Sequence, residues 1–230
     1  MSVQFRFTNI ASVRSSRADL AVVIDVLRAF TVSAWVHHRG AKALWLAESN
    51  SGALALKKKL GPDALAMKDG DPAPGFELSN SPDQISSMDL AGKIVVQRTT
   101  NGTVGTIAAA HLPVVLTASL VNASATARAI RELNPGLVDL VVTGADGGAD
   151  EDLAAAELIS ALVQGDIDSG AYEDRVRSSR AAVHLLEKAA QGHPGVGFHD
   201  VELATRTDQF PWVMQARQTD LGTRLDFTPC

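Results

Sequence analysis

The chain has 230 residues, of which 46% are hydrophobic and 20% charged, and its formal net charge is −5. This length and apolar content are enough to bury a full core. We therefore expect a single α/β domain over residues 1–230, or two lobes at about 1–90 and 91–230. The acidic balance excludes a general nucleic-acid binder, since such proteins bind through clustered Lys and Arg.

The single cysteine, Cys230, excludes a disulfide framework and most cysteine chemistry, which suits a reducing compartment. No charged segment followed by an apolar one opens the chain, and no apolar run approaches the length of a membrane span. We therefore expect a cytoplasmic protein with no membrane partner.

Strand-like and helix-like segments alternate along the first half of the chain. Alternating or β-branched apolar runs predict strands, and a change to a 3.6-residue period predicts helices. The predicted strands are 3–7, 21–24, 43–47 and 64–67, and the predicted helices are one ending near His38 and one at 52–60. A polar loop is predicted at 12–19, and residues 68–82, with three Pro and two Gly, are predicted to be irregular.

The second half repeats strand, loop and helix more regularly. The predicted strands are 93–97, 114–117 and 137–142. Four helices are predicted: one that ends near His111, one that ends near Leu133, and two that cover 151–163 and 177–190. A hairpin is predicted at 213–227, turning at 220–223. This order predicts a layered α/β/α fold with a mostly parallel sheet and a C-terminal β-hairpin.

Loops that follow the predicted strands carry the polar residues. These are Asp25 with Arg28, the loop 98–103, Ser119 with Asn122, and the loop 144–152. Parallel strands would bring them to one edge of the sheet. Hydroxyl, amide and glycine residues let the backbone approach phosphate or carboxylate oxygens closely, although helix capping explains the same residue types. The candidate substrate-binding residues in these loops are Thr99, Thr100, Asn101, Gly102, Thr103, Ser119 and Asn122.

Acidic residues in the same loops and in the irregular segment are candidate metal ligands. They are Asp25, Asp69, Glu77, Asp146, Glu151 and Asp152. Mg²⁺ takes a few carboxylates together with waters and substrate oxygens, so acids on separate loops can serve it. Asp25 is the strongest candidate, with helix N-capping as the alternative. The last three are weaker, because acids in a first helical turn stabilise the helix dipole without a metal.

Several familiar mechanisms lack their residues here. The residue two beyond Asp25 is Leu27, so the Asp-x-Asp of aspartyl-phosphate phosphotransferases is absent. The P-loop, dinucleotide-binding and nucleophile-elbow patterns are also absent. His37 and His38 fall at a predicted helix end, where the dipole favours cations, and we prefer that explanation to metal binding.

Five segments in register carry a family resemblance. They are VVIDVLRA (22–29), GFELSNSP (75–82), TTNGT (99–103), SLVNASA (119–125) and GGADEDLAAA (147–156). With the tail DVELATRTDQFPWVM (200–214), they resemble the 2-phosphosulfolactate phosphatase family, known from coenzyme M biosynthesis. The resemblance implies an α/β fold and Mg²⁺-dependent hydrolysis of a phosphomonoester on a small acid with carboxylate and sulfonate groups.

Some candidate site residues match the pattern of this family, and two segments depart from it. The residues that match the family pattern are Asp25, Arg28, Asn80, Asn101 and Glu151. The resemblance therefore adds Asn80 to the candidate substrate-binding residues. Residues 68–71 and 143–145 depart from the pattern, which leaves the exact substrate open.

The residues and the resemblance together predict a Mg²⁺ site. Asp25 would hold the ion with acids from the Glu77 and Glu151–Asp152 regions. Because no covalent nucleophile stands out, direct attack by a metal-activated water is the simplest mechanism, with a phosphorylated Asp25 as the alternative.

Cations are needed beside the metal because an acidic protein must concentrate positive charge where it binds an anion. Arg28 and Arg98 would neutralise phosphate or carboxylate, and backbone N–H groups at 100–103 would complete the cradle. The alternative for both arginines is a surface ion pair. In a substrate-contact role, Arg→Lys variants should lose kcat/KM while the melting temperature stays nearly unchanged.

Two other classes of function remain open from the residues. The loops could bind a small anionic metabolite without turning it over, or the site could have decayed through the changes at 68–71. The expected partner is a small anionic phosphorylated substrate, and the sequence leaves a homodimer open.

Overall fold

In a computed structural model of the chain, residues 3–144, 149–165 and 167–230 are described. The strands are β1 (Gln4–Thr8), β2 (Leu20–Ile24), β3 (Ala43–Ala47), β4 (Ala64–Lys68), β5 (Leu78–Ser79), β6 (Ile94–Arg98), β7 (Val114–Ala118), β8 (Leu137–Val142), β9 (Trp212–Thr219) and β10 (Gly222–Pro229). The helices are α1 (Ile10–Val13), α2 (Ala29–His38), α3 (Asn50–Leu60), α4 (Pro82–Ser86), α5 (Gly102–Ala108), α6 (Ala123–Leu133), α7 (Asp150–Gln164), α8 (Gly170–Ser178), α9 (Arg180–Ala190) and α10 (Asp200–Ala204). A short 3-10 helix covers Leu120–Asn122.

The strands of the described residues form one ten-stranded sheet in the order β1-β8-β2-β7-β9-β10-β3-β6-β4-β5. Neighbouring strands are parallel on both sides of the C-terminal hairpin β9–β10, which pairs antiparallel with β7 and with β3. The predicted mixed α/β fold with a C-terminal hairpin is confirmed. The strand ends that carry Asp25, Ser119 and Thr143 are neighbours, whereas Arg98 ends a strand on the other side of the hairpin.

Helix α2 is the centre of the core. Every residue from Ala29 to Val36 is buried, and the two polar ones, Thr31 and Ser33, hydrogen-bond to backbone carbonyls. One hydrophobic cluster joins it to side chains from both parallel sets, including Val23 of β2 and Leu46 of β3. Because α2 begins four residues after Asp25, the strand-end acid lies at the start of the most buried helix.

The two histidines end α2 as predicted, but the dipole explanation is wrong for His37. Its ring stacks on Phe227 with centroids 4.1 Å apart, and Trp212 meets it edge-on at 4.9 Å. Burial lowers the pKa of His37, and His38 lowers it further. His37 is therefore a packed aromatic side chain rather than a cation at a helix end.

The sequence missed several short helices. Within the segment predicted to be irregular, Ser81 caps α4 and Pro82 is its first residue. The predicted helix 177–190 is two helices that meet at Ser179, whose hydroxyl accepts from the Ala182 N–H at 3.1 Å. Helices of one or two turns show too little periodicity to be recognised in a sequence. Among the described residues, no helix combines the length and apolar character that a membrane span requires.

Candidate active site

Asp25 lies directly beyond β2 and is 7% exposed. One carboxylate oxygen accepts the Ala29 N–H at 2.9 Å, so the residue does cap the start of α2. Burial raises the pKa of Asp25 to about 6, against the hydrogen bonds from the Ala29 and Gly102 N–H groups, and Asp69 raises it further. Capping thus uses one oxygen, and the other lies against Gly102 of the 98–103 loop.

Gly102 brings the 98–103 loop against that second oxygen. A Cβ atom at position 102 would lie 2.7 Å from Oδ2 of Asp25 and 2.6 Å from the Cβ of Ala29, closer than such atoms approach. Glycine is therefore required at position 102 if the loops that follow β2 and β6 are to lie this close to each other. The predicted meeting of these two loops is confirmed, although their strands lie on opposite sides of the hairpin.

Two more predicted acids, at the start of α7, adjoin Asp25. Asp152 accepts the Val26 N–H at 2.8 Å and the Thr143 hydroxyl at 3.1 Å. Burial, with repulsion from Asp25 and Glu151, holds the pKa of Asp152 well above its ordinary range. Both Asp152 oxygens are thus occupied, and the residue fixes the end of β2 to the start of α7.

Glu151 is the acid with a free oxygen. It is 6% exposed, and its buried Oε2 has no hydrogen-bond partner among the described residues. Burial raises the pKa of Glu151 to about 7, against its own N–H and with repulsion from Asp25 and Asp150. A buried carboxylate oxygen without a donor is costly, and this one lies beside a second buried carboxylate.

These carboxylates offer the hard oxygen ligands that Mg²⁺ prefers. Among the described residues, no three His, Cys, Asp or Glu side chains form a group that could hold a metal. Asp146, a predicted ligand, lies outside the described residues. Mg²⁺ commonly takes one or two carboxylates and completes its shell with waters and phosphate oxygens. The donor set of Asp25 and Glu151 fits that description.

Glu77 is not brought to these acids. One of its oxygens pairs with Lys57 of α3, and the other accepts the Ala66 N–H at 2.9 Å. Burial favours a higher pKa for Glu77, but the hydrogen bonds from Lys57 and Ala66 outweigh it and lower the pKa. None of these contacts reaches Asp25, so its predicted metal role has no support from its position.

Arg28 is buried rather than at the surface. Its Nη1 donates to Asp200 at 2.5 Å and to the Gly195 carbonyl at 2.9 Å. The side chains of the pair are 8% and 0% exposed, so the alternative of a surface ion pair is wrong for Arg28. Burial raises the pKa of Asp25, and the charge of Arg28 opposes that rise.

Asp200 is a site residue that the sequence did not single out. Besides Arg28, it accepts the Ser81 hydroxyl at 2.6 Å, the Asp83 N–H at 3.1 Å and the Gly197 N–H at 2.9 Å. It therefore joins the starts of α2 and α4 to the segment before α10. Its position at the start of a short helix gave no sign of this role, because only the folded chain brings its donors together.

Arg98 is held by Asp69. The Arg98 Nη1 donates to one Asp69 oxygen at 3.0 Å, and the Thr100 N–H donates to the other at 2.6 Å. The Arg98 Nε is buried and has no partner among the described residues. The sequence predicts Asp69 as a metal ligand, but its hydrogen bonds make it a support for the loop that carries Arg98.

The threonines of the loop mainly stabilise the loop itself. The Thr99 N–H donates to the Thr103 hydroxyl at 2.9 Å, and the Thr103 N–H donates to the Thr99 hydroxyl at 3.0 Å. The predicted backbone cradle at 100–103 is therefore wrong for Thr100 and Thr103, whose N–H groups are already engaged. The Asn101 side chain makes no capping hydrogen bond to α5. Its amide is therefore the group in this loop that is best able to bind a ligand.

The loop after β7 contributes one more buried polar atom. Asn122 accepts the Ser119 N–H at 3.0 Å, and the two residues form a capping box in which the buried Ser119 hydroxyl faces the Asn122 N–H but makes no well-formed hydrogen bond among the described residues. The Asp25 N–H donates to the Ala118 carbonyl at 3.3 Å. Ser119 follows Ala118 directly, so its hydroxyl belongs to the same strand end as the acid.

Asn80 is connected to the site through Gln97. It accepts from the Gln97 amide at 3.0 Å, and the same amide donates to the Ala29 carbonyl at 2.9 Å. Asn80 is 3% exposed. The predicted residue thus lies one hydrogen-bonded side chain away from the start of α2.

Carboxylates, arginines and unpartnered buried polar atoms converge where parallel strands end and helices begin. This is the position at which open α/β sheets bind their ligands. The fold and the site define an α/β protein with a buried, charged site at the ends of its parallel strands.

Comparison with known proteins identifies the family. A family model described as 2-phosphosulpholactate phosphatase matches residues 9–219. A probable 2-phosphosulfolactate phosphatase of Deinococcus radiodurans is 40% identical over 161 residues, 66% of this chain and 67% of that protein. One of Bacillus subtilis is 29% identical over 206 residues, 87% and 88% of the two chains. One of Thermus thermophilus is 41% identical over 145 residues, 62% and 60%.

The chain belongs to the 2-phosphosulpholactate phosphatase family. The resemblance noted in the sequence is confirmed. Family membership and the names of these relatives indicate a phosphoric monoester hydrolase.

Proposed function

We propose that this protein hydrolyses the phosphomonoester of 2-phosphosulfolactate, or of a closely similar 2-phospho-hydroxy acid, to the hydroxy acid and phosphate. The relatives' names support this substrate. The observation that carries the proposal is the pairing of two buried, mutually repelling carboxylates, Asp25 and Glu151, with an oxygen of Glu151 left unpartnered. The proposed setting is the cytoplasm, in coenzyme M biosynthesis.

We propose further that Asp25 and Glu151 hold Mg²⁺. When bound, the ion would polarise a phosphoryl oxygen and activate a water. Burial penalises the ionised form of both acids, and repulsion adds to it, from Asp69 on Asp25 and from Asp25 and Asp150 on Glu151. A divalent cation bound by the two acids would offset that penalty. Asp152 contributes by fixing the loop after β2 to α7, the helix that carries Glu151.

The cations and unpartnered polar atoms are proposed to bind the anionic groups of the substrate. Arg28 supplies charge from a position fixed by Asp200. The Arg98 Nε and the Ser119 hydroxyl have unused hydrogen-bonding capacity, and the Asn101 side chain adds an amide. Arg98 is oriented by Asp69, so less conformational freedom is lost when it meets an anion.

The test is phosphate release from a panel of small phosphorylated hydroxy acids that includes 2-phosphosulfolactate, with Mg²⁺ and with EDTA. We expect the fastest release from 2-phosphosulfolactate and none after chelation. Glu151→Gln should remove the activity, because the amide keeps the shape but lacks the negative charge. Saturable substrate binding without phosphate release would instead indicate a non-catalytic anion-binding protein.

A further inference from the structure

A fully buried glutamine, Gln97 of β6, has hydrogen bonds at both ends of its amide group. Its Nε2 donates to the Ala29 carbonyl at 2.9 Å and to Oδ1 of Asn80 at 3.0 Å. Its Oε1 accepts the Ser33 hydroxyl at 2.8 Å. This side chain therefore joins the first two turns of α2 to the residue that follows β5.

One backbone carbonyl fixes the direction of the hydrogen bonds in this network. The Ala29 carbonyl can only accept, so the end of the Gln97 amide that faces it must be the NH2 group. The second N–H of that group points at Asn80, which must therefore turn its own oxygen toward Gln97. The NH2 group of Asn80 is left facing away from Gln97, and none of the described residues accepts a hydrogen bond from it.

The orientation of Asn80 limits what it can bind. An amide oxygen can be a Mg²⁺ ligand, but this oxygen already accepts from Gln97. The remaining NH2 group can only donate, which suits an anionic oxygen rather than a cation. Asn80 is 3% exposed, so a hydrogen bond from it to a charged group would form away from bulk water and belong to the stronger class.

Asn80 and the proposed metal ligands reach the start of α2 from different parts of the sheet. Asp25 accepts the N–H of Ala29, whereas Gln97 donates to the carbonyl of the same residue. Asp25 follows β2, while β5 and β6 belong to the parallel set on the other side of the hairpin. A substrate whose phosphoryl group meets Asp25 and Glu151 would present its other acidic groups to the Asn80 side.

We infer that Gln97 is a positioning residue, which holds Asn80 so that the Asn80 amide donates to the carboxylate or sulfonate of the substrate. The inference rests on the proposed hydrolysis of a 2-phospho-hydroxy acid and adds a residue that recognises the part of the substrate that does not react. Gln97 acts only through Asn80, because both of its N–H groups and its oxygen are engaged within the protein.

Separate binding of the two reaction products tests the role of Asn80. Calorimetry on the full chain with Mg²⁺ measures the affinity for inorganic phosphate and for sulfolactate, the dephosphorylated hydroxy acid. Asn80→Ala should weaken sulfolactate binding about tenfold or more, the effect of losing a hydrogen bond to a charged group, and leave phosphate and Mg²⁺ binding unchanged. Unchanged sulfolactate binding, or a loss of phosphate or Mg²⁺ binding, would overturn the assignment.

A double-mutant cycle tests whether Gln97 acts through Asn80. Gln97→Met keeps the length of the side chain but has no N–H, so Asn80 is free to turn. This variant should raise KM for 2-phosphosulfolactate about tenfold or more and change kcat less, because the lost contact is made before and during the reaction alike. In the Asn80→Ala background the same substitution should leave KM nearly unchanged. Gln218→Met is the matched control, since that amide donates to Thr223 within the hairpin.

A purely structural role for Gln97 would lower the melting temperature of Gln97→Met without changing KM, and that result would overturn the inference. Additive effects in the cycle would do the same. If circular dichroism shows that Gln97→Met does not fold, Ser33→Ala replaces it; this variant removes only the partner of Oε1 and should raise KM by a smaller factor. A wild type that binds sulfolactate but releases no phosphate would overturn the proposed hydrolysis alone, and the binding series on Asn80→Ala would still decide this inference.

Discussion

Arg28 and Asp200 form a buried ion pair that joins the start of the central helix to the C-terminal part of the chain. The arginine follows the strand that ends at Asp25, and the aspartate collects three further donors around it. A single pair thus links the position of the site's cation to the packing of α4 and α10.

Asp200→Asn should be strongly destabilising. Removing one partner of a buried pair leaves an uncompensated charge, at a cost of about 3–5 kcal/mol. Arg28→Lys keeps the charge but changes the geometry of the buried donor that serves both Asp200 and the Gly195 carbonyl, so it should also lower the melting temperature, contrary to the expectation from sequence that stability would be kept. Urea unfolding measures both, and Glu202→Gln is the control, since that α10 residue pairs with Arg206 in solvent. Equal stability of Asp200→Asn and Glu202→Gln would contradict a structural role for the pair.

Gly102→Ala should reduce activity at least tenfold, the effect of about 1.4 kcal/mol in the barrier. The new Cβ would meet Oδ2 of Asp25 at 2.7 Å and push the loop away from the acid. Gly165→Ala is the matched control, because no atom of the described residues lies within 4 Å of a Cβ there and its backbone is extended. Steady-state kinetics on both variants decide the matter, and equal activity would show that the close approach is not needed.

Without metal, the free energy of unfolding should fall as the pH rises from about 4 to about 7. Asp25 and Glu151 have pKa values raised to about 6 and about 7 from ordinary values of 3.8 and 4.5. The folded state therefore keeps protons that the unfolded chain releases, and this stability is lost as pH passes the folded pKa values. Asp25 alone accounts for roughly 3 kcal/mol at 1.36 kcal/mol per pKa unit.

Chemical unfolding in EDTA at a series of pH values measures this trend. Glu151→Gln should flatten the upper part of the curve, because the amide does not titrate. A metal-free stability that increases steadily over the same range would show that these acids are not buried as described.

Mg²⁺ affinity should depend on pH in the opposite sense. Both proposed ligands must lose their protons to bind the ion, so binding should strengthen as the pH rises toward about 7. Asp25→Asn should abolish metal binding measured by calorimetry. Glu77→Gln should leave it intact, because that carboxylate is engaged by Lys57 and the Ala66 N–H. If Glu77→Gln loses the metal while Asp25→Asn keeps it, the assignment is reversed.

Arg98→Lys should lower kcat/KM at least tenfold and change the melting temperature little. Lysine can still pair with Asp69 but has no counterpart to the unpartnered Nε–H or to the planar fork. The side chain is 23% exposed, so the stability cost is smaller than for Arg28. Normal kinetics in this variant would remove Arg98 from the substrate site.

The sequence alone determined the elements whose pattern is local. β3 at Ala43–Ala47 and β8 at Leu137–Val142 have the predicted bounds, because apolar runs between turn residues need no tertiary information. Asp25 was found in the same way, as a polar residue that ends a buried strand. The family was also visible in the sequence, since its motifs are short and keep their order.

Only the tertiary structure decided which of the candidate groups come together. It turned Glu77 toward Lys57, buried Arg28 against Asp200, and used the threonine N–H groups inside their own loop. Such pairings form between residues up to 172 positions apart, across elements whose order in the sheet the sequence does not contain. The sequence determines which side chains can donate or accept hydrogen bonds. The partner of each buried polar group is decided only when packing excludes water, which would otherwise bind it.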